Sequence, residues 1–396
     1  MNSKQRMALA MQHGIPDRVP VMCQLSLGHY FLTMRSRWKP YEIFFSSEAF
    51  ADALVAMCRR YRFDGILINI PGRDPAWRDA IQTVEEHQDG ELLTWQDGTH
   101  TLVPWDDSPL FELDDSSAAP RPDYEAFDPD RDMDRLDEWP RYTWGVYHIP
   151  RVTGKAPGLL LEPPDTFFRT IDLVRAAVGD SLSVHGEVFS PFTHFMELFG
   201  YQEALLGLMT DPGKAEAILA RFAETTIAWG RAQARRGVDA VLISSAFAGG
   251  GFISPHMYER FVVPCERKVA DALHAAVPGL PVYTHTCGLL YDRLELLAET
   301  RVDGVDTLDP PPLGNTDLAD AKRRIGHRLF IKGNMNSVAI LTDSKGQFVQ
   351  RATDTLLAGK PGGGYILSTA CSVAPRVEPW KLELLADIAE EDGRYR

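Results

Sequence analysis

Residues 281–332 read PVYTHTCGLLYDRLELLAETRVDGVDTLDPPPLGNTDLADAKRRIGHRLFIK. Three short apolar runs, each long enough for a buried strand, alternate here with two amphipathic segments of helical periodicity, at 289–299 and 316–325. Such alternation is typical of right-handed βαβ units that build a parallel sheet. The segment therefore predicts part of an α/β fold.

The same alternation extends over most of the chain. We predict eight strands, at 19–25, 65–70, 182–188, 240–244, 281–284, 302–305, 329–332 and 365–368. Eight units in one chain predict a closed (β/α)₈ TIM barrel, formed as a single domain by residues 1–396 and preceded by an N-terminal helix. A doubly wound sheet is the alternative, but the glycine runs at 249–251 and 362–364 lack the spacing of a dinucleotide-binding loop.

Residues 71–150 interrupt the alternation after the second predicted strand. Two Asp-Gly turn signals, at 89–90 and 97–98, flank a pair of β-type runs and predict an antiparallel hairpin. Loops that follow barrel strands lie at the carboxyl-terminal face, where barrel enzymes carry their active sites. We therefore expect residues 71–150 to form an insertion over the barrel mouth, with Tyr147 and His148 as lid residues.

Composition excludes several classes of function. The chain has 41 Lys and Arg against 55 Asp and Glu, a net charge of −14, and such a surface disfavours nucleic acid and anionic membranes as partners. No window approaches the length of an apolar membrane span, and no secretory signal precedes the first predicted helix. Five dispersed cysteines do not form a disulfide framework. We expect a cytoplasmic protein with reduced thiols.

Thiol and imidazole groups follow two of the predicted strands. His285 and Cys287 end the fifth strand two residues apart, so their side chains point the same way, and Cys371 follows the eighth. Two thiolates and one imidazole suit zinc, and three protein ligands leave the open position of a catalytic site. The alternative interpretation is that the cysteines are small buried apolar residues.

Other polar residues at predicted strand ends are candidates for the chemistry. Glu187, Asp306 and Asn334 are candidate catalytic residues, although each also has a structural interpretation as an ion pair, a turn or a loop contact. Asn69 is a candidate substrate ligand. His29 and Tyr30 begin an aromatic loop that either walls a substrate pocket or packs beneath the insertion.

Several motifs resemble the uroporphyrinogen decarboxylase superfamily, and more narrowly its zinc-dependent, corrinoid-linked methyltransferase branch. That branch includes methylcobalamin:coenzyme M methyltransferases and the methyltransferase components of O-demethylases. The similar segments span most of the chain and are Asp17-Arg18-Val19-Pro20-Val21, Gly186-Glu187-Val188-Phe189-Ser190-Pro191-Phe192-Thr193, His285-Thr286-Cys287-Gly288, Lys332-Gly333-Asn334-Met335 and Cys371-Ser372-Val373-Ala374-Pro375.

The resemblance implies a (β/α)₈ barrel in which His285, Cys287 and Cys371 bind Zn²⁺. It also implies a small-molecule methyl donor or acceptor and a separate corrinoid protein carrying methylcobalamin or cob(I)alamin. This chain has no evident Asp-x-His-x-x-Gly motif of its own for cobalamin. The aromatic loop favours a methoxylated aromatic donor. Whether the chain forms a homodimer is left open by the sequence.

The sequence also departs from the decarboxylases. Their arginine-containing stretch after the first strand corresponds here to residues 23–30, which contain no arginine, and their catalytic aspartate corresponds to Asn69. A polycarboxylate porphyrinogen is therefore disfavoured. Two alternatives to the methyltransferase remain: a cofactor-independent decarboxylase of a smaller acid, and a non-catalytic binding protein on a retained barrel.

Overall fold

A computed structural model of the chain describes residues 1–111, 121–139 and 161–395. Its central sheet has seven parallel strands, in the order β1-β6-β7-β8-β9-β10-β11. These strands are β1 (Gly65–Ile68), β6 (Ser183–Phe189), β7 (Ala240–Ser244), β8 (Val282–Thr286), β9 (Gly304–Thr307), β10 (Phe330–Met335) and β11 (Tyr365–Thr369). The predicted barrel fold is confirmed, and seven of the eight predicted strands are regular.

The remaining predicted strand, the first one at 19–25, is an irregular extended segment between β11 and β1. Leu367 N donates to Pro20 O at 2.8 Å, and Asp64 N donates to Val21 O at 2.7 Å, so the segment contacts both end strands. It pairs with the sheet only through single bridges, such as Val21 with Leu367. Pro20 has no N–H to donate, which interrupts a regular ladder.

A buried ion cluster holds this segment at the amino end of the barrel. The Asp64 carboxylate is fully buried and accepts from Arg6 Nη1 at 2.6 Å and Arg18 Nη1 at 2.8 Å. Val21 N also donates to it, at 2.8 Å. The Asp17-Arg18-Val19-Pro20-Val21 motif therefore closes the barrel rather than forming part of its mouth.

Helices surround the sheet and connect its strands. In chain order the α-helices are Ser3–Met11, Leu27–Met34, Pro40–Phe45, Ser47–Tyr61, Pro129–Asp132, Arg169–Val178, Pro191–Phe199, Tyr201–Thr210, Pro212–Arg235, Pro255–Met257, Val263–Ala276, Leu294–Glu299, Leu318–Ile325, Ala339–Thr342, Lys345–Gly359 and Pro379–Glu391. Short segments of 3₁₀- or π-helix are Trp77–Ala80, Met133–Glu138, Asp165–Phe168, Tyr258–Val262 and Tyr291–Arg293. Among the described residues, no helix combines the length and apolar character needed to span a membrane.

The core has two parts, as expected for a barrel. The large part lies between strands and helices. The small part fills the barrel interior, where Leu67, Leu242, Tyr283 and Phe330 meet Met7 of the helix Ser3–Met11. The predicted N-terminal helix therefore contributes to the interior core.

The predicted hairpin belongs to a four-stranded antiparallel sheet, formed by β2 (Ile81–His87), β3 (Gly90–Trp95), β4 (His100–Pro104) and β5 (Leu110–Phe111). Arg376, in the segment after β11, forms an ion pair with Asp106 at 2.6 Å. The sheet therefore contacts the carboxyl-terminal face. Residues 112–120 and 140–150 of the predicted insertion, including Tyr147 and His148, lie outside the described residues, and its position over the mouth stays a prediction.

Candidate metal centre

The strands bring together the three residues that the sequence analysis assigned to a metal. His285 lies within β8, at an interior-facing position, and Cys287 follows the end of that strand. Cys371 lies two residues after β11. Their potential ligand atoms all lie within 4.8 Å of one another. Among the described residues, no other group of three or more His, Cys, Asp or Glu side chains brings its potential ligand atoms this close together.

Polar groups behind His285 fix the orientation of its ring. Its Nδ1 lies 2.7 Å from Thr307 Oγ1 and 3.3 Å from Asp306 Oδ2. Its Nε2 lies 3.3 Å from Cys287 Sγ. Ligand histidines commonly use one ring nitrogen for the metal and the other for a carboxylate, which sets the tautomer. The imidazole is therefore already oriented with Nε2 towards the thiols.

Asp306 is itself held by a buried cation. Lys332 Nζ lies 3.0 Å from each Asp306 oxygen, and both side chains are almost inaccessible to solvent. Burial alone would raise the pKa of Asp306, but the Lys332 ammonium and the His285 ring outweigh it and hold that pKa below its usual value. Asp306 is therefore a carboxylate in the folded protein.

The two thiols differ in acidity because they face one another. A hydrogen bond from Cys287 lowers the pKa of Cys371 well below that of an ordinary thiol, and the same contact raises the pKa of Cys287. The pair therefore favours one thiolate beside the imidazole. Thiolate is the form of cysteine that binds metals.

Backbone contacts position the loop that carries Cys287. Gly288 N donates to Asp309 Oδ2 at 2.7 Å, and Gly288 has a left-handed φ of +84°. On the other side, Gly249 lies so close that a Cβ atom there would be 2.2 Å from Cys287 O. Gly249 therefore gives room to the loop that carries Cys287, which is a structural reason for a glycine here although the run fits no phosphate-binding motif.

Cys371 is anchored in the same way. Its N–H donates to Ser337 Oγ at 3.0 Å, and its carbonyl accepts from Thr369 Oγ1 at 2.6 Å. Ser337 lies after β10, so neighbouring strand ends hold Cys371 in place. The donor set of one imidazole and two thiols, with anchored backbones and a supported ring, fits zinc.

Glu187 and Asn69 lie at the carboxyl ends of adjacent strands. Ile68, which precedes Asn69, pairs with Gly186, which precedes Glu187. Burial raises the pKa of Glu187 to about 7, although the charge on His285 partly opposes this. Its Oε2 atom is buried and has no hydrogen-bond partner among the described residues. Glu187 is therefore suited to hold a proton near neutral pH.

The other predicted site residues have structural contacts. Asn334 Nδ2 donates to Leu308 O at 2.9 Å, so Asn334 supports the loop after β9, and its catalytic role stays a prediction. His29 Nε2 lies 2.7 Å from the hydroxyl of Tyr61, and Tyr30 packs edge-on against Phe50.

Both His29 and Tyr30 are buried. Phe45, further along the aromatic loop, packs on Trp95 of the antiparallel sheet. These contacts agree with the alternative that the loop packs beneath the insertion.

Sequence reasoning missed the roles of Lys332 and Thr307. Lys332 is an ionisable residue within an apolar β-type run, at a position that alternation places inside the barrel. A buried lysine requires an anionic partner, so the position of Lys332 in this run could have indicated a buried ion pair. Thr307 gave no signal, because its contact with His285 depends on the pairing of β8 with β9.

Comparison with known proteins places the chain in a family. The family model for uroporphyrinogen decarboxylase (URO-D) matches residues 157–391. A uroporphyrinogen decarboxylase of Legionella pneumophila is 26% identical over 265 residues, 64% of this chain and 71% of that protein. The Methylcobamide:CoM methyltransferase MtbA of Methanosarcina mazei is 23% identical over 226 residues, 57% of this chain. The match covers 63% of the methyltransferase, slightly less than two thirds of its length.

A solved structure of a methyltransferase from Methanosarcina mazei has the same fold. It superimposes with a TM-score of 0.70 at 17% identity and covers 99% of both chains. The family match extends over more than half of the 396 residues, from before β6 to the last helix. The chain belongs to the uroporphyrinogen decarboxylase family.

Proposed function

We propose that the protein is a zinc-dependent methyltransferase. It would move a methyl group between a small O- or S-methyl compound and the cobalt of a separate corrinoid protein. The observation that carries this proposal is the cluster of His285, Cys287 and Cys371, supported by Asp306 and Thr307. The similarity to the Methylcobamide:CoM methyltransferase MtbA agrees with it.

His285, Cys287 and Cys371 would hold the ion and leave one position open to substrate. Bound zinc supplies Lewis acidity, which stabilises the negative charge of a thiolate or an alkoxide at that position. Thr307 and Asp306 keep the imidazole oriented throughout. Loading the site releases protons from the thiols and the ring, so metal affinity rises with pH.

Glu187 has the position and acidity for the accompanying proton transfer. It lies on β6, separated from β8 only by β7, and its position faces the barrel interior as that of His285 does. With a pKa raised to about 7, its carboxyl group gives or takes a proton close to neutrality. Its role would be to protonate a leaving oxygen or sulfur, or to accept the proton of an incoming thiol.

The face around the cluster carries exposed apolar side chains. They follow four successive strands, β7 to β10, and are 38% to 53% exposed: Phe252, Leu289, Tyr291, Leu313 and Val338. Exposed apolar surface of this kind marks interaction sites. A corrinoid protein is the occupant that we propose, because methyl transfer requires its cobalt to approach the open metal position.

A decarboxylase of a smaller acid is the second candidate, favoured by the similarity to the Legionella pneumophila uroporphyrinogen decarboxylase. The experiment is methyl transfer to cob(I)alamin, followed by its absorbance, from methoxy, alcohol and thioether donors. We expect methylcobalamin to form with the zinc-loaded wild type and not with Cys371→Ser. Release of carbon dioxide from an acid by metal-free protein, without methyl transfer, would instead support the decarboxylase.

A further inference from the structure

A buried carboxyl group lies behind the strand that carries His285, on the outer side of the barrel. Glu266 belongs to the helix Val263–Ala276, which packs against β8, and its side chain is completely inaccessible to solvent. Neither of its carboxyl oxygens has a hydrogen-bond partner among the described residues. An unpaired buried carboxylate is strongly unfavourable, so Glu266 either holds a proton or neutralises a bound cation.

Three hydroxyl groups lie next to this carboxyl group, on the completely buried residues Ser245, Tyr258 and Thr284. Burial raises the pKa of Glu266 to about 7, and contacts with Ser245 and Thr284 partly oppose this because they favour the charged form. Burial, followed by the nearby Glu266 charge, raises the pKa of Tyr258 above its ordinary value. These mutual effects place the carboxyl and hydroxyl groups in one cluster.

Most oxygens of this cluster lack a partner. Ser245 Oγ and Tyr258 OH are buried and, like both Glu266 oxygens, make no hydrogen bond to any described residue. Thr284 Oγ1 donates to Ile243 O at 3.3 Å, which leaves its lone pairs free to accept or to bind an ion. Buried polar atoms in native proteins are nearly always bound to protein, to water or to an ion. The cluster therefore has the character of a binding site.

The fold brings these oxygens together. Ser245 N donates to His285 O at 2.7 Å, so the pairing of β7 with β8 continues to this residue. Side chains alternate along a strand, and Ser245 and Thr284 therefore point away from the interior that His285 faces. Tyr258 belongs to the π-helical segment Tyr258–Val262, directly before the helix that carries the carboxyl group. Such segments occur frequently at functional sites.

The buried cation of this region is used elsewhere. The Arg293 guanidinium lies 5.7 Å from the centre of the Tyr258 ring. Its Nε donates to Asp292 at 2.9 Å, and its Nη1 donates to Ala248 O at 3.1 Å. Glu266 thus keeps one uncompensated negative charge when it is ionised. A divalent ion would leave an excess positive charge buried near Arg293, whereas a monovalent ion balances the carboxylate.

We propose that Glu266, Ser245, Tyr258 and Thr284 form a binding site for a monovalent cation, Na⁺ or K⁺. Carboxylate and hydroxyl oxygens are ligands for hard cations, in contrast to the thiols of the candidate metal centre. The bound ion would support the outer side of the strand that carries His285. This site is separate from the metal cluster, and its occupancy does not depend on the proposed methyl transfer.

The stability of the purified full chain tests the site. Urea unfolding would be measured at about pH 8, at fixed zinc content, in increasing NaCl or KCl, with N-methyl-D-glucamine chloride added to keep the ionic strength constant. This organic cation is too large for a buried site. We expect the folding equilibrium constant to rise about tenfold for each tenfold increase in Na⁺ or K⁺ above the dissociation constant. Equal stability in Na⁺, K⁺ and the organic cation would overturn the proposal.

Tyr258→Phe and Thr170→Val are a matched pair of variants. Each removes one buried hydroxyl that has no partner among the described residues, but Thr170 lies on a different helix, Arg169–Val178. Tyr258→Phe should weaken the apparent affinity for the cation about 3–10-fold, as expected for one lost oxygen ligand, and Thr170→Val should leave it unchanged.

Glu266→Gln should abolish the dependence of stability on Na⁺ or K⁺, because an amide carries no charge for the ion to balance. If Glu266→Gln and the wild type respond to the cation equally, the ion binds elsewhere and the assigned site is wrong.

Discussion

Nδ1 of His285 lies 3.3 Å from Oδ2 of Asp306 in the barrel interior. This contact links the candidate metal cluster to a second charged pair, because Asp306 is also held by Lys332. The series runs from a cationic side chain through a carboxylate and an imidazole to two thiols. Its members lie on β8, β9 and β10 or in the segments after β8 and β11, so the order of the strands determines it.

Asp306 is expected to support metal binding without touching the metal. Asp306→Asn should weaken zinc affinity about 10–100-fold, because carboxylates behind a ligand histidine fix its tautomer and raise its basicity. Competition with a chromophoric chelator measures this affinity. Asp309→Asn is the matched control, since an amide oxygen can still accept from Gly288 N. Equal affinity in wild type and Asp306→Asn would contradict the assigned role.

Lys332 and Asp306 should be coupled in stability. Lys332→Met leaves the buried Asp306 carboxylate without its ammonium partner, which should lower the free energy of unfolding by about 3–5 kcal/mol. The double variant Lys332→Met/Asp306→Asn should recover a large part of that loss. Urea unfolding of the metal-free wild type, both single variants and the double variant gives the free energies of this double-mutant cycle. Additive effects of the single substitutions would show that the pair does not interact.

Gly249 should matter for the metal although it carries no side chain. A Cβ atom there would lie 2.2 Å from Cys287 O, so Gly249→Ala must displace the ligand loop. We expect zinc affinity to fall at least about tenfold, since metal sites tolerate little displacement of a ligand. Gly251→Ala is the control, because no atom lies within 4 Å of a Cβ atom at that position. Equal zinc affinity of Gly249→Ala and Gly251→Ala would contradict this prediction.

The raised pKa of Glu187 predicts how the free energy of unfolding depends on pH. Its pKa is raised from 4.5 to about 7 in the folded protein, so the folded state keeps the proton over a range where the unfolded state loses it. The free energy of unfolding therefore falls as pH rises from about 4.5 to about 7, and Glu187 is destabilising above that range. Glu187→Gln removes this contribution.

Glu187→Gln should match the metal-free wild type at pH 4 and exceed its stability at pH 8 by on the order of 1–2 kcal/mol. Urea unfolding across pH gives the profile, with the exposed Glu391→Gln as control. A difference that does not grow between these pH values would contradict the buried, protonated state of Glu187.

The sequence predicted the barrel because strand-helix alternation depends on local patterns that are visible along the chain. The candidate metal ligands could be picked out for the same reason, since His285, Cys287 and Cys371 each follow or end an apolar β-type run. Barrel geometry then places such strand ends on one face. The first predicted strand, 19–25, was only partly correct, because Pro20 cannot take part in a regular ladder.

Contacts between distant segments could not be read from the sequence. A small cavity behind β1 and β6 combines Ile68 with Phe167 and Trp229, which are widely separated along the chain. From the sequence alone, the aromatic residues after the predicted first strand were equally suited to line a pocket. Phe45 and Trp95 meet only through the packing of the antiparallel sheet, which no periodicity encodes.

The most direct measurement is the zinc content of the purified wild type beside Cys371→Ser and Cys265→Ser, after loading with the metal. Cys265 lies on the helix Val263–Ala276 and not in the cluster, so it is the matched thiol control. We predict about one zinc per chain in the wild type and in Cys265→Ser, and its loss in Cys371→Ser. A wild type that carries no zinc and cannot be loaded with it would contradict the account.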